Sequence, residues 1–408
     1  MKIFKFTALI ILTTIFLSKN SSAQEEDINY SQFLNTITTA VPFLMIGPDS
    51  RAGAMGDVGA ATKPDANSAY WNTSKTAFLE QQQALTISYI PWLRNLVNDI
   101  YMAQVGYTWK LNEKMCVSHG LRYFSLGEIT FRGIGGDFLQ RVNPNELAID
   151  IFGVGYKLND NFSGGFSTRY IYSNLTSGAD VSGSASKPGN SIAVDLNCFY
   201  KKPIQFGDKS ADYMFGLNIQ NIGNKVSYSE SAERDFIPMN LKIGTGINFE
   251  IDEFNEFGMY IDVNKLLVPT PPVYQKDEND LYLTDANGNY LIESGSGMDP
   301  NVSTIQGLIQ SFYDAPGGFN EEFNEINWSL GAEYWYDQQF ALRIGYFYEN
   351  PNKGNRNHMT LGLGLKYQIF NLDFSYLVPF TQRNPLENTL RFTMSFDFAD
   401  IKSIGDTN

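Results

Sequence analysis

Catalysis needs nucleophiles, bases or metal ligands held close together, and the 408-residue sequence offers few of them. Its two histidines are His119 and His358. A serine–histidine hydrolase would set one of them beside a serine and a carboxylate, and neither stands in such a pattern. By strand parity His119 shares the apolar face of its segment with Val117 and Leu121, while His358 begins a strand at an outer rim. Cys116 and Cys198 fall on a polar and an apolar face, so no disulfide is expected between them. No group of His or Cys has metal-ligand spacing. Asp285-Ala-Asn287-Gly-Asn289 opens like a calcium loop. Tyr290 then stands where glycine is needed and Ser296 where the bidentate glutamate belongs, so the stretch reads as a hairpin turn. No glycine loop with lysine is present to cradle a phosphate. The residues point away from an enzyme and away from any cofactor or metal.

The elements that carry these residues look like those of an exported membrane protein. Lys2 and Lys5 precede an apolar run over 6–17 and the small residues Ser21, Ser22 and Ala23. This is the layout of a secretory signal, 1–23, cleaved between Ala23 and Gln24. Net charge is −14, and loss of Lys2, Lys5 and Lys19 makes the mature chain more acidic still. Such a chain offers phosphates no basic face, which excludes nucleic acid as a partner. Aromatic residues make up 14% of the chain and glycines number 35. Yet nothing after the signal approaches the roughly 18 apolar residues of a spanning helix.

Strict alternation supplies the membrane-crossing elements instead. Leu390, Phe392, Met394, Phe396 and Phe398 alternate with Thr389, Arg391, Thr393, Ser395 and Asp397. Met359, Leu361, Leu363 and Leu365 likewise face away from Thr360, Gly362, Gly364 and Lys366. Segments of about ten residues with period two match tilted membrane strands. Fourteen such segments lie near 83–90, 99–110, 115–125, 147–157, 162–172, 190–201, 212–220, 239–249, 256–264, 327–336, 339–348, 358–368, 371–378 and 388–398. Alternation is mixed in 147–157. Every other connection is short, and those between are longer, as in bacterial barrels with periplasmic turns and extracellular loops. The expected fold is therefore all-β, a 14-stranded antiparallel transmembrane barrel over 83–398 in the outer membrane, with both barrel ends in the periplasm and a tail over 399–408. Phe398 closes the last strand as a terminal aromatic. Lumen-facing Arg391, Asp397, Lys366, Asp373, Lys242, Glu250 and Asp262 are mixed in sign, which argues against an open ion-selective pore.

Two regions are not wall. Residues 24–82 carry apolar Phe33, Leu34, Ile37, Val41, Phe43, Leu44 and Ile46, then the small-residue stretch 51–61. Close backbone packing by small residues suits a plug in the lumen, the alternative being a periplasmic arm. The longest loop is 265–326. Leu267, Val268, Pro269, Pro271 and Pro272 form a stiff stretch that cannot join a ladder. Asp299 is placed to cap a helix, with Pro300 at its first position and an end near Gly317. Val302, Ile305, Leu308, Ile309 and Phe312 then share one helical face. A loop this long reads as a docking surface or as an inward-folded lid. The residues expected to meet a partner are Leu267, Val268, Pro269, Pro271, Pro272, Ile305, Leu308, Ile309 and Phe312.

The stretch 56–72, GDVGAATKPDANSAYWN, resembles the N-terminal signature of the FadL-type outer-membrane transporter superfamily, with Thr73-Ser74 where Pro-Ala is usual. Three stretches resemble the PorV family of Bacteroidetes type IX secretion barrels more closely: 50–62 (SRAGAMGDVGAAT), 262–272 (DVNKLLVPTPP) and 383–398 (RNPLENTLRFTMSFDF). The first is shared with related PorQ proteins. The resemblance implies a FadL-like barrel with an N-terminal plug. It also implies association with an SprA-type translocon, uptake of secreted proteins through their C-terminal signal domains, and delivery to a PorU/PorQ/PorZ attachment complex. The competing expectations are a FadL-like transporter of hydrophobic small molecules, which needs an apolar pocket in the lumen, and a lipid A deacylase, which would need His119 and His358.

Overall fold

The computed structural model describes residues 34–133, 135–176, 186–207, 209–229, 234–286, 288–381 and 384–398. The signal, its cleavage point at Ala23 and Gln24, and the tail 399–408 lie outside the described residues, as do Asn287 and Arg383.

Fourteen antiparallel strands close into one barrel. They are β1 (Gln83–Pro91), β2 (Ile100–Asn112), β3 (Met115–Leu126), β6 (Asn145–Lys157), β7 (Phe162–Asn174), β8 (Gly189–Phe206), β9 (Lys209–Gly223), β10 (Asn240–Glu250), β11 (Asn255–Leu266), β12 (Ile326–Tyr336), β13 (Phe340–Tyr348), β14 (Asn357–Tyr367), β15 (Phe370–Pro379) and β16 (Leu390–Phe398). Between β3 and β6 stands a separate hairpin, β4 (Ile129–Arg132) and β5 (Phe138–Val142), paired only with itself. Sequence neighbours pair throughout, and β1 closes on β16 with Gln83 opposite Phe398 and Leu85 opposite Phe396. Closure removes both sheet edges, so no wall strand leaves backbone groups unpaired in lipid.

The wall is inside out relative to a soluble barrel. On β14 Leu361, Leu363 and Leu365 are 42%, 56% and 44% exposed, while Thr360 before them and Gly362 and Gly364 between them are buried. Val105, Leu121, Ile192, Leu196, Ile261, Leu342, Ile344, Leu372, Phe392 and Met394 continue the exposed apolar band around the barrel. Apolar surface on this scale is stable against lipid and not against water. Near the short turns the band ends in aromatics, among them Trp109, Tyr156, Phe206, Tyr336, Tyr367 and Phe370. Such a belt suits the membrane–water boundary. No helix among the described residues is long and apolar enough to cross a membrane.

The mixed alternation of 147–157 has a local cause. Pairing with β7 shifts register between Asp150 and Phe152, and pairing with β3 shifts between Gly120 and Ser118, opposite Asp150 and Gly153. The bulge leaves Ile151 and Phe152 both outward, so parity reverses part-way along β6. The hairpin β4–β5 falls in what the sequence reads as a connection, since only Ile129-Thr130-Phe131-Arg132 alternates; in its turn Gly136 has a φ of 84° and Gly133 N donates to Asp137 O at 2.8 Å.

Candidate docking surface and the filled lumen

Residues 40–79 run through the barrel and touch inward-facing side chains on every side of it. Ser50 N donates to Thr393 Oγ1 on β16 at 2.9 Å. Gly59 N and Ala60 N donate to Asp262 Oδ2 on β11 at 2.7 and 2.9 Å. Ser74 N donates to Asn197 Oδ1 on β8 at 2.8 Å, and Ser163 Oγ on β7 donates to Ser74 O at 2.8 Å. Backbone donors without a ladder are thus satisfied by wall side chains. The small residues of 51–61 serve this approach. A Cβ at Gly345 would lie 2.1 Å from Gly56 N, and one at Gly216 would lie 1.9 Å from Ala60 O. Gly56 itself has a φ of 70°, where a side chain would be strained.

Charge is paired across the lumen. Asp65, Arg51, Glu333, Arg343 and Asp373 form one chain, with links of 2.9, 2.6, 2.6 and 2.6 Å. Arg391 meets Asp57, Lys242 lies 3.7 Å from Asp262, and Lys366 lies 3.8 Å from Asp397. Of the charges expected to face inward, Glu250 does not, standing exposed at the end of β10 beside a short turn.

The loop 265–326 is locked to the rim by a buried ionic cluster. Lys265 Nζ, at the end of β11, meets Glu322 Oε2 at 2.9 Å and Glu325 Oε2 at 2.6 Å. Lys353, from the β13–β14 connection, meets Glu325 at 2.9 Å and Glu321 at 2.5 Å. Thr270 Oγ1 donates to Glu325 at 2.6 Å, Thr270 N to Asp314 Oδ2 at 3.2 Å, and Ala315 N to Glu322 Oε1 at 2.9 Å. Burial pushes the Asp314 carboxyl up to about 6, against the Thr270 N–H that favours its anion. Burial also opposes ionisation of Glu321, but Lys353 outweighs it and holds that carboxyl below its usual value. Beneath the cluster Phe236, Met239, Leu267 and Val268 form an apolar core, with Val302 and Leu308 against it.

The nine residues expected to meet a partner divide accordingly. Leu267, Val268, Pro269 and Pro272 are buried, and Pro271 and Leu308 are half-buried. They hold the loop down, because an apolar stretch beside Phe236 and Met239 gains more from burial than from solvent. Ile305, Ile309 and Phe312 are 59%, 55% and 48% exposed. Tyr313, Phe319 and Phe323 of the same loop are exposed too, Phe319 by 83%. Phe319 and Phe323 stand one turn apart on a short helix, Phe319–Asn324, beyond the helix expected to end near Gly317. The other helix runs Thr304–Gln310, shorter than expected, and Ser303 caps it in place of Asp299. Asp299 instead accepts from Asn301 N at 2.8 Å in the turn that Pro300 favours. Farther out, isolated bridges Tyr274–Ile292, Lys276–Tyr282 and Thr284–Tyr290 build a small meander on which Tyr274, Tyr282 and Tyr290 gather. Asp285, the first residue of the calcium-like stretch, accepts from Asn289 N at 2.9 Å within this meander.

The histidines lie on opposite sides of the wall. His119 is exposed on β3, with Nδ1 2.7 Å from Ile151 O. His358 is buried on the lumen side of β14, stacked on Phe347 at 5.1 Å. One reaction centre cannot use both. The cysteines are free, Cys116 buried and Cys198 half-buried on the opposite parity. No group of three His, Cys, Asp or Glu among the described residues could hold a metal. Above the lumen segment, at the long-loop end, a cavity of about 420 Å³ is lined by aromatic and aliphatic side chains over a charged floor.

A family model described as type IX secretion system protein PorV matches residues 29–273. Comparison with curated proteins gives no match. Solved structures similar to this chain include the CymD monoaromatic hydrocarbon channel, at 14% identity and a TM-score of 0.47, covering 87% of this chain and 99% of that one. The P. putida toluene transporter TodX is similar at 11% identity and a TM-score of 0.48, covering 86% and 98%. The Ralstonia pickettii toluene transporter TbuX is similar at 13% identity and a TM-score of 0.43, with the same coverage.

Proposed function

The chain belongs to the PorV family of type IX secretion system proteins, and we propose that it works by docking rather than by chemistry or conduction. In this reading the barrel docks on an SprA-type translocon, takes up secreted proteins through their C-terminal signal domains, and carries them to a PorU/PorQ/PorZ-type attachment complex. The long-loop end faces outward from the cell, and both barrel ends lie in the periplasm once the signal is removed after Ala23.

One observation supports the reading above the others. The loop 265–326 exposes Ile305 and Ile309, one turn apart on a short helix, and also Phe312, Phe319 and Phe323, on a base tied down by buried ion pairs. Leaving such residues exposed forgoes the stabilisation of burying them, and rigid presentation lowers the entropy cost of association. Aromatic anchors are the residues on which binding energy concentrates. The lumen supports docking over transport, because residues 40–79 and their paired charges occupy the path a solute would take.

The test replaces Ile305, Ile309 and Phe312 by Ser, Asp and Ser in the full-length protein. The barrel should assemble normally, while co-purification of a very large outer-membrane barrel should fall at least tenfold. Unchanged recovery of that partner would remove the loop as the contact surface.

A further inference from the structure

The outer meander of the loop 265–326 is an internal repeat. Residues 274–281, 282–289 and 290–297 read YQKDENDL, YLTDANGN and YLIESGSG, each eight residues long and each opening on tyrosine. The fourth position is acidic in all three: Asp277, Asp285 and Glu293. The backbone follows the repeat around a closed threefold ring. Leu283 N donates to Gln275 O at 3.0 Å, Leu291 N to Leu283 O at 2.9 Å, and Gln275 N to Leu291 O at 2.8 Å. Lys276 bridges to Tyr282, Thr284 to Tyr290, and Ile292 back to Tyr274. The turns repeat too, with Asp280 N on Asp277 O at 3.1 Å, Gly288 N on Asp285 O at 3.1 Å and Ser296 N on Glu293 O at 3.0 Å. Because each unit pairs with both others, a partner meets side chains here and not a sheet edge.

The symmetry gathers three tyrosines into one pad. Their ring centroids lie 6.1 Å apart for Tyr274 and Tyr282, 5.5 Å for Tyr274 and Tyr290, and 5.4 Å for Tyr282 and Tyr290. Tyr282 and Tyr290 are 52% and 56% exposed, so the trio is a surface and not a core. Its surroundings are acidic. Residues 273–296 hold Asp277, Glu278, Asp280, Asp285 and Glu293 against a single cation, Lys276. Asp277 and Asp285 also close their own turns, accepting from Leu281 N and Asn289 N at 2.9 Å. Lys276 shows what the pad accepts. Its ammonium lies 5.2 Å from the centroid of the Tyr282 ring and 2.7 Å from Asp280 Oδ1. A ring face beside a carboxylate holds a cation by quadrupole and charge together. Lys276 and Asp280 both reach into water, so this internal pair exchanges readily for an outside cation.

We propose that this threefold module binds cationic segments of partner proteins, with guanidinium groups laid on Tyr282 and Tyr290 and steered by the carboxylates of the turns. Arginine is preferred to lysine, because its planar, weakly hydrated head stacks on a ring while its N–H groups still reach a carboxylate. The contact goes beyond the one at Ile305 and Ile309, and it holds or fails without it.

The test titrates the full-length protein, in nanodiscs of zwitterionic lipid, with dye-labelled peptides that alternate glycine with arginine, glutamine or glutamate, and with a labelled neutral maltooligosaccharide. Fluorescence anisotropy reads binding. The arginine peptide should bind saturably, about tenfold more tightly than any other probe, and should weaken as salt rises. Tyr282→Leu with Tyr290→Leu leaves every charge in place and should cost the arginine peptide about tenfold. Exchange protection at Leu283 N and Leu291 N checks that the module stays closed in that variant. Tyr282→Trp offers a better ring and should tighten the arginine peptide about threefold. The proposal is overturned if the closed double variant binds the arginine peptide as before, since the attraction would then be general acidity. It is also overturned if Tyr282→Trp brings no gain, or if the glutamine peptide or the oligosaccharide matches the arginine peptide.

Discussion

Replacing Lys265 by Met should release the loop 265–326 without opening the barrel. Lys265 is the ammonium shared by Glu322 and Glu325, and all three side chains are at most 9% exposed. After the change Lys353 alone faces Glu321, Glu325 and the nearby Glu322. Removing one partner of a buried pair costs about 3–5 kcal/mol, because the remaining charge stays buried and unpaired. At about 1.4 kcal/mol per decade this predicts local opening more frequent by between about a hundredfold and several thousandfold. The assay is amide hydrogen exchange read by mass spectrometry on peptides covering 303–325. Gly307 N, Ser311 N and Ala315 N, bonded to Ser303 O, Gly307 O and Glu322 Oε1, should lose protection. Peptides from β13 and β14 should not. Adding Glu322→Gln removes the stranded charge and should recover most of the protection. Less than a fivefold change in Lys265→Met, or no recovery in the double variant, would refute the ion cluster as the anchor.

Further outcomes follow from the same contacts. Gly345→Ala places a carbon against Gly56 N and should lower the folded, heat-modifiable fraction on semi-native gels; the outward-facing Gly164→Ala, whose nearest atom is Leu158 Cδ1 at 3.9 Å, should not. Asp314 binds its proton more tightly in the closed loop than in the open one. That contribution is present at low pH and lost as pH rises through about 6, so protection factors over 303–325, taken relative to intrinsic exchange at each pH, should be higher at pH 5.5 than at pH 7.5, and Asp314→Asn should flatten the difference. With Cys116 and Cys198 replaced by Ala, a membrane-impermeant maleimide should label Asn320→Cys on intact cells and Asp160→Cys only after lysis; the reverse would invert the proposed orientation.

The wall was legible in the sequence because lipid and lumen impose opposite chemistries on alternate residues. Leu361, Leu363 and Leu365 against Thr360 and Gly362 leave one way to place β14. Where a bulge breaks the period, at Ile151 and Phe152, the pattern blurred for a structural reason and not for lack of a strand. Strand ends on β8 and β9 run farther than alternation indicated, since Pro203 to Phe206 still pair with Asp212 to Lys209. The loop was legible only in part. A helical face predicted Ile305, Ile309 and Phe312 together, but which apolar residues face out depends on Phe236 and Met239, far away in sequence. The Lys265–Glu322–Glu325–Lys353 cluster joins three separate segments, and no local spacing signals it. His358 shows the same limit, since strand position alone did not reveal its buried stack on Phe347.

The central claim is tested most directly by affinity purification of the tagged, full-length protein from its native outer membrane. Docking predicts recovery of a very large barrel together with secreted proteins carrying type IX C-terminal domains, and loss of both when Ile305, Ile309 and Phe312 are made polar. Recovery of the barrel alone, with neither partner, from membranes actively secreting such cargo would contradict it.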